Sequence, residues 1–205
     1  MTALVDYIIR KQVPLGENPE LPKFRGNIGI TQGWISICAN LLLFVLKLVF
    51  GIISNSIALI ADAFHTLSDM ASSGVVVFGF KMASKPADKE HPFGHGRAET
   101  IASLTISILI GFTGLEFIKS SLSRLFTTSS IEISVGVISV IIITIILKEG
   151  LARLSYNLGS KIDSDTLKAD AVHHRSDMWS SLLVLIAFGG VWGGYPRMDA
   201  FMGFG

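Results

Sequence analysis

A nine-residue pattern that occurs twice, each time setting ionisable side chains into an apolar run, limits what this chain can become. Residues 61–69 read Ala-Asp-Ala-Phe-His-Thr-Leu-Ser-Asp and residues 169–177 read Ala-Asp-Ala-Val-His-His-Arg-Ser-Asp, so six of nine positions agree at an offset of 108. The likeness continues through Met70 and Met178, then through Ser72-Ser73 and Ser180-Ser181. In each copy a His precedes an Asp by four residues. On an α-helix, with about 3.6 residues per turn, that spacing stacks both side chains on one face, roughly 6 Å apart along the axis. Two such helices laid together would bring His65, Asp69, His173 and Asp177 to one point. Four nitrogen and oxygen ligands suit a divalent transition metal held tetrahedrally, zinc before others.

Half of the 205 residues are hydrophobic and 16% are charged, against about a quarter charged in an average soluble domain. A polytopic membrane protein is therefore expected. A net charge of +1 with no basic arm or face argues against nucleic acid as a partner. Cys38 is the single cysteine, forms no internal disulfide, and reads as a small packing residue within a helix.

Residues 1–30, with Arg10, Lys11, Lys23 and Arg25, read as a polar cytoplasmic lead and not as a cleaved signal peptide. Residues 31–205 read as the transmembrane domain. A bilayer span needs about 20 predominantly apolar residues, and such stretches run from Trp34 to Ile53, Ile57 to Phe80, Thr100 to Ile118, Ile131 to Leu147 and Leu167 to Trp192. Polar segments separate them at 81–97 and at 148–168. The tail from Pro196 to Gly205 reads as the start of another span. The expected fold class is thus an all-α membrane protein, a helical bundle of five complete transmembrane spans plus the start of a sixth, with no C-terminal cytoplasmic domain in this chain. Lys and Arg are retained on the cytoplasmic side of short loops. They concentrate in the lead, in 81–97 and in Lys148, Arg153, Lys161 and Lys168, so the N-terminus is expected to be cytoplasmic and spans two and five antiparallel.

With these residues in view the chain resembles the cation diffusion facilitator family of metal transporters from about residue 30 onward. The resemblance rests on His65-x-x-x-Asp69, on Asp88-Lys-Glu-His91-Pro-Phe-Gly-His95-Gly-Arg97-x-Glu99, and on His173-x-x-x-Asp177. It implies homodimeric six-span proteins, in the full-length form, that move divalent transition metals out of the cytoplasm in exchange for protons. The transport site would be made by spans two and five, and a further metal site in the loop by Asp88, His91 and His95. An integral protein of a prokaryotic cytoplasmic membrane is the expected setting, with metal ions, protons and the lipid bilayer as partners. The chain departs from the family where the sixth span and the cytoplasmic domain should follow, so a non-transporting fragment or assembly partner stands as the alternative.

Two ionised carboxylates and two neutral imidazoles are balanced by one divalent cation, and metal and protons compete for the same lone pairs. That competition is the expected basis of exchange. A structural reading, a His–Asp pair tying helices together, would not require the nonapeptide twice. Repeat alignment pairs His65 with His173, leaving His174 for an interhelical or supporting hydrogen bond. Asp62 and Asp170 precede each His by three residues, placed to orient the imidazoles or line the metal's path; ordinary placement near a helix N-terminus serves Asp170 equally well. For Asp88, His91 and His95 the competing reading is a solvated loop with incidental histidines. Asn40 and Lys47 read as structural pairings inside the bundle. Zinc is the expected cargo and no resident cofactor is expected, while ligand type alone leaves cobalt, iron, manganese and cadmium open. An intramembrane metalloenzyme is disfavoured, because the chain has no His-Glu-x-x-His pattern and four protein ligands leave no position for water.

Overall fold

A computed structural model describes residues 2–14, 17–18, 21–54, 57–126 and 135–192. All of the regular structure among them is helical: α1 (Thr2–Gln12), α2 (Pro22–Ile53), α3 (Ile57–Ala83), α4 (Arg97–Phe126), α5 (Val135–Lys161) and α6 (Asp165–Trp192). By length and composition, Phe24–Ile53, Arg97–Leu115 and Val135–Lys161 are apolar enough to cross a membrane. The corresponding stretches of α3 and α6 are diluted by the polar residues of the two nonapeptides, which is why the five expected spans reduce to three on that measure. The expected start of a sixth span, Pro196 to Gly205, lies outside the described residues.

The bundle buries many polar groups beside its apolar core and exposes large apolar side chains. Gln32, Ser36, Asn40, Lys47, Asp69, Lys148, Asp170 and Asp177 are buried, while Phe78, Ile101, Leu104, Ile108, Phe112 and Ile146 are exposed. A soluble fold does the reverse; lipid accepts this arrangement because apolar side chains face hydrocarbon and polar groups must find partners within the protein. Cys38 is exposed, not packed as expected.

One end of the bundle is closed by a cluster in which Val5 and Ile8 of α1 meet Phe24 and Ile28 of α2, Phe80 of α3, Ile106 of α4, Leu158 of α5 and Leu167 of α6. The lead is therefore a helix docked on the bundle, and α2 begins at Pro22, earlier than the expected lead boundary. Proline suits that first turn because its missing N–H has no helical partner there. The last turn of α3 and the first turn of α6 both join this cluster, so α3 and α6 run antiparallel. Close approach of α2 and α3 depends on Gly33, where a Cβ would meet the Val77 side chain at 2.5 Å and the Val77 nitrogen at 3.3 Å.

α5 continues beyond the expected span end at Leu147, burying Leu151, Leu154, Ser155 and Leu158 down to Lys161. It turns into α6 through Ile162, Asp163 and Ser164, with Asp163 at φ 46°, a left-handed conformation that Asp tolerates better than most residues. Arg25 locks this turn. Its guanidinium donates to the carbonyls of Ile162 (2.6 Å) and Asp163 (3.1 Å) and to both oxygens of Glu99 (2.8 Å each). Glu99 also accepts from Ser164 Oγ at 2.6 Å, and its carbonyl accepts from Thr166 Oγ1 at 2.7 Å. A lysine cannot span these acceptors as the planar fork does. Arg25→Lys should therefore lower stability by about 1.5–3 kcal/mol, read as a fall of several degrees in thermal unfolding of the detergent-solubilised chain. An unchanged midpoint would show that the fork carries no weight.

Candidate metal centre

The helical period places His65 and Asp69 on one face of α3, and His173 and Asp177 on one face of α6, one turn apart in each case. Packing turns the two faces together. Ligand-capable atoms of His65, Asp69 and Asp177 all lie within 4.8 Å of one another. His173 Nε2 is 3.8 Å from Asp69 Oδ1 and 3.7 Å from Asp177 Oδ2, and 3.0 Å from Ser72 Oγ. His65 Nε2 is 3.9 Å from Asp69 Oδ1. The side chain of His65 is the accessible member, 39% exposed against 6% for that of Asp69. It lies one turn from Asp69 toward the N-terminus of α3, away from the end sealed by α1.

A residue that the sequence reading put elsewhere sits among them. Lys148, counted with the charges of a polar loop, falls at the middle of α5 and points into the bundle, its side chain 1% exposed. Its ammonium donates to Asp69 Oδ2 at 2.8 Å and Asp177 Oδ2 at 2.6 Å. It was missed because it directly follows an apolar run and precedes Glu149, the usual look of a span end. A signal was nonetheless present: Leu151, Leu154, Ser155 and Leu158 keep the helical period beyond it, and two carboxylates in apolar helices require a counter-charge.

The positions flanking the four residues are used differently in the two copies. Asp62 Oδ2 pairs with Lys47 Nζ of α2 at 2.9 Å, and the same ammonium donates to Thr66 Oγ1 at 2.8 Å, so Asp62 meets a cation in place of orienting an imidazole. Asp170, fully buried in the second turn of α6, accepts from Ser155 Oγ at 2.7 Å and lies 3.4 Å from His174 Nε2. His174 Nε2 is 3.0 Å from Ser36 Oγ of α2, the interhelical contact expected of it. Ser36 also accepts from Gln32 Nε2 at 3.0 Å, and Gln32 Nε2 donates to Ser155 as well.

The loop between α3 and α4 brings Asp88, His91 and His95 together, their ligand atoms within 4.8 Å of one another. Asp88 Oδ1 accepts from the backbone nitrogens of His91 (2.7 Å) and Glu90 (3.0 Å). The His91 N–H is the main influence holding the Asp88 carboxyl below its usual range, so it remains an anion in mild acid. Gly94, at φ 80°, makes the turn that folds the His95 ring back to 4.5 Å from that of His91.

Residues 33–205 match the cation efflux transmembrane domain. An uncharacterized transporter of Methanocaldococcus jannaschii is 41% identical over 152 residues, covering 74% of this chain and 54% of that protein. Metal tolerance protein 2 of Oryza sativa subsp. japonica is 34% identical over 195 residues, covering 82% and 50%. Manganese efflux system protein MneP of Bacillus subtilis is 30% identical over 152 residues, covering 74% and 51%. The chain spans about half the length of these curated relatives.

Asp170→Ala would strip Ser155 and His174 of their shared acceptor. It is expected to cost about 1–2 kcal/mol, the range for interhelical hydrogen bonds in membranes, measured by thermal unfolding in detergent. A variant as stable as the parent would deny the Ser155–Asp170–His174 group a structural role.

Proposed function

The chain belongs to the cation efflux family of metal transporters, and on that premise we propose that it carries a divalent transition metal through a site made of His65, Asp69, His173 and Asp177. One observation supports this above others: two antiparallel helices turn matching His–Asp faces toward each other in the polar interior, with the carboxylates of Asp69 and Asp177 close enough to share one cation. Zinc is the cargo we assign, because a mixed nitrogen and oxygen set favours it over manganese in the general order of divalent affinities. A relative named for manganese efflux makes the comparison of the two metals the informative one.

Exchange with protons follows from charge. When a divalent cation departs, Lys148 can offset only one of the two carboxylate charges, and a proton can take up the other. The end of the bundle carrying α1 is sealed by apolar packing and by Arg25 with Glu99, while His65 is the site's accessible member. We read this as a state facing away from the cytoplasm. Five spans, a cytoplasmic N-terminus and a homodimer in a prokaryotic cell membrane belong to the same reading, as does a second, loop-borne metal site at Asp88, His91 and His95.

In vesicles loaded by a pH gradient, zinc flux through the reconstituted chain should fall at least about a hundredfold in His65→Ala and Asp177→Ala, since losing one ligand from a tetrahedral set leaves the metal poorly held. Flux at the parent's rate in both would defeat the assignment. Equilibrium dialysis separates the two sites. Zinc should bind twice per chain; His91→Ala with His95→Ala should remove one equivalent, and Asp69→Asn with Asp177→Asn the other. Two equivalents surviving the loop substitutions would remove Asp88, His91 and His95 from the metal-binding account.

A further inference from the structure

Lys148 is the buried charge for which metal coordination has no use. We propose that it is a tethered cation occupying the metal's place in the empty site, one that must leave both carboxylates before a divalent ion can bind, and so sets metal affinity. The inference rests on the assignment of Asp69 and Asp177 as metal ligands.

Three observations carry it. Lys148 is contributed by α5, whereas the carboxylates come from α3 and α6, so a single ammonium holds two helices that otherwise present like charges to each other. It binds one oxygen of each carboxylate in the proposed site, Oδ2 of Asp69 and Oδ2 of Asp177, at 2.8 and 2.6 Å. A metal bonds carboxylate oxygen at about 2.0–2.2 Å, so on either oxygen that Lys148 holds it would lie no more than about 5 Å from the ammonium. Repulsion between a doubly charged ion and an ammonium at that distance is strong. Finally, a lysine at mid-helix in a membrane bundle is costly and persists only where its partners offset that cost. Its four-carbon stem allows the ammonium to swing aside without moving α5. Metal entry is then an exchange of one cation for another, and metal release is assisted by an ammonium waiting within reach of both aspartates.

The test measures Co2+ binding to the full 205-residue chain in detergent. The loop site is silenced by His91→Ala and His95→Ala, and the visible absorption of four-coordinate cobalt reports the intramembrane site. In this background Asp177→Asn should abolish the signal. Lys148→Met, which keeps length and removes charge, should bind Co2+ at least tenfold more tightly. Lys148→Arg, which keeps the charge, should bind no more tightly than the background. The metal-free Lys148→Met chain should also melt at lower temperature than the background, with Co2+ closing the gap. If the background and Asp177→Asn give the same signal, the metal-site assignment falls and this proposal with it. If Asp177→Asn loses the signal but Lys148→Met binds no more tightly than the background, only the competing role of Lys148 is overturned. Should Lys148→Met not fold without metal, Lys148→Arg decides: tighter binding than the background refutes the proposal, and binding that is equal or weaker upholds it.

Discussion

An ionised side chain inside a membrane bundle must find its counter-charge within the protein, and most of the interior architecture answers that demand. Asp69 and Asp177 face each other from antiparallel helices, and without an intervening cation their repulsion would drive α3 and α6 apart. Lys148 supplies that cation from a third helix at 2.8 and 2.6 Å. α3 packs mainly against α2 and α6 mainly against α5, with little direct packing between α3 and α6, so the ammonium is a principal tie across the site. A second buried lysine repeats the solution nearer the other end, Lys47 of α2 pairing with Asp62. Buried ion pairs seldom add net stability when compared with apolar packing. Here the lysines make carboxylates tolerable in apolar surroundings.

Apolar packing does different work at the end that carries α1. There the interior is apolar, with Phe24, Ile28, Phe80, Leu158 and Leu167 all buried, and the polar lock of Arg25, Glu99 and Ser164 lies at its edge. Burial of apolar surface is non-directional and adjusts gradually, whereas a bidentate guanidinium–carboxylate pair is made or broken. A bundle whose one end is closed by both kinds of contact has a discrete way to stay shut. An opening motion would have to release Arg25 from the carbonyls of Ile162 and Asp163 as well as from Glu99.

The four residues proposed for the central site stand out in the sequence because two demands coincide there: helical spacing that stacks His on Asp, and repetition of the whole nonapeptide at a fixed offset. The helices were legible wherever apolar runs were uninterrupted. What escaped were features whose cause is tertiary. Lys148 directly follows an apolar run and so resembles the end of a span, and the position of Asp69 and Asp177, 79 and 29 residues away, is what turns it inward. The first helix, α1, carries Arg10 and Lys11 and reads as a polar lead, yet Val5, Ile8 and Val13 find a greasy surface that no local pattern announces.

The repeat itself takes on a different meaning once the surroundings of its two copies are compared. Thr66 and His174 occupy equivalent positions, as do Asp62 and Asp170, but their partners differ: Lys47 of α2 serves the first copy, Ser155 of α5 and Ser36 of α2 the second. Had the doubling served helix packing, the equivalent contacts should have been kept together, since a packing surface is specified by what touches it. Instead the supporting contacts diverge while His65 and His173, Asp69 and Asp177 keep identity and register. In the proposed site these side chains answer to a demand placed between Asp69 and Asp177, the point that the Lys148 ammonium occupies.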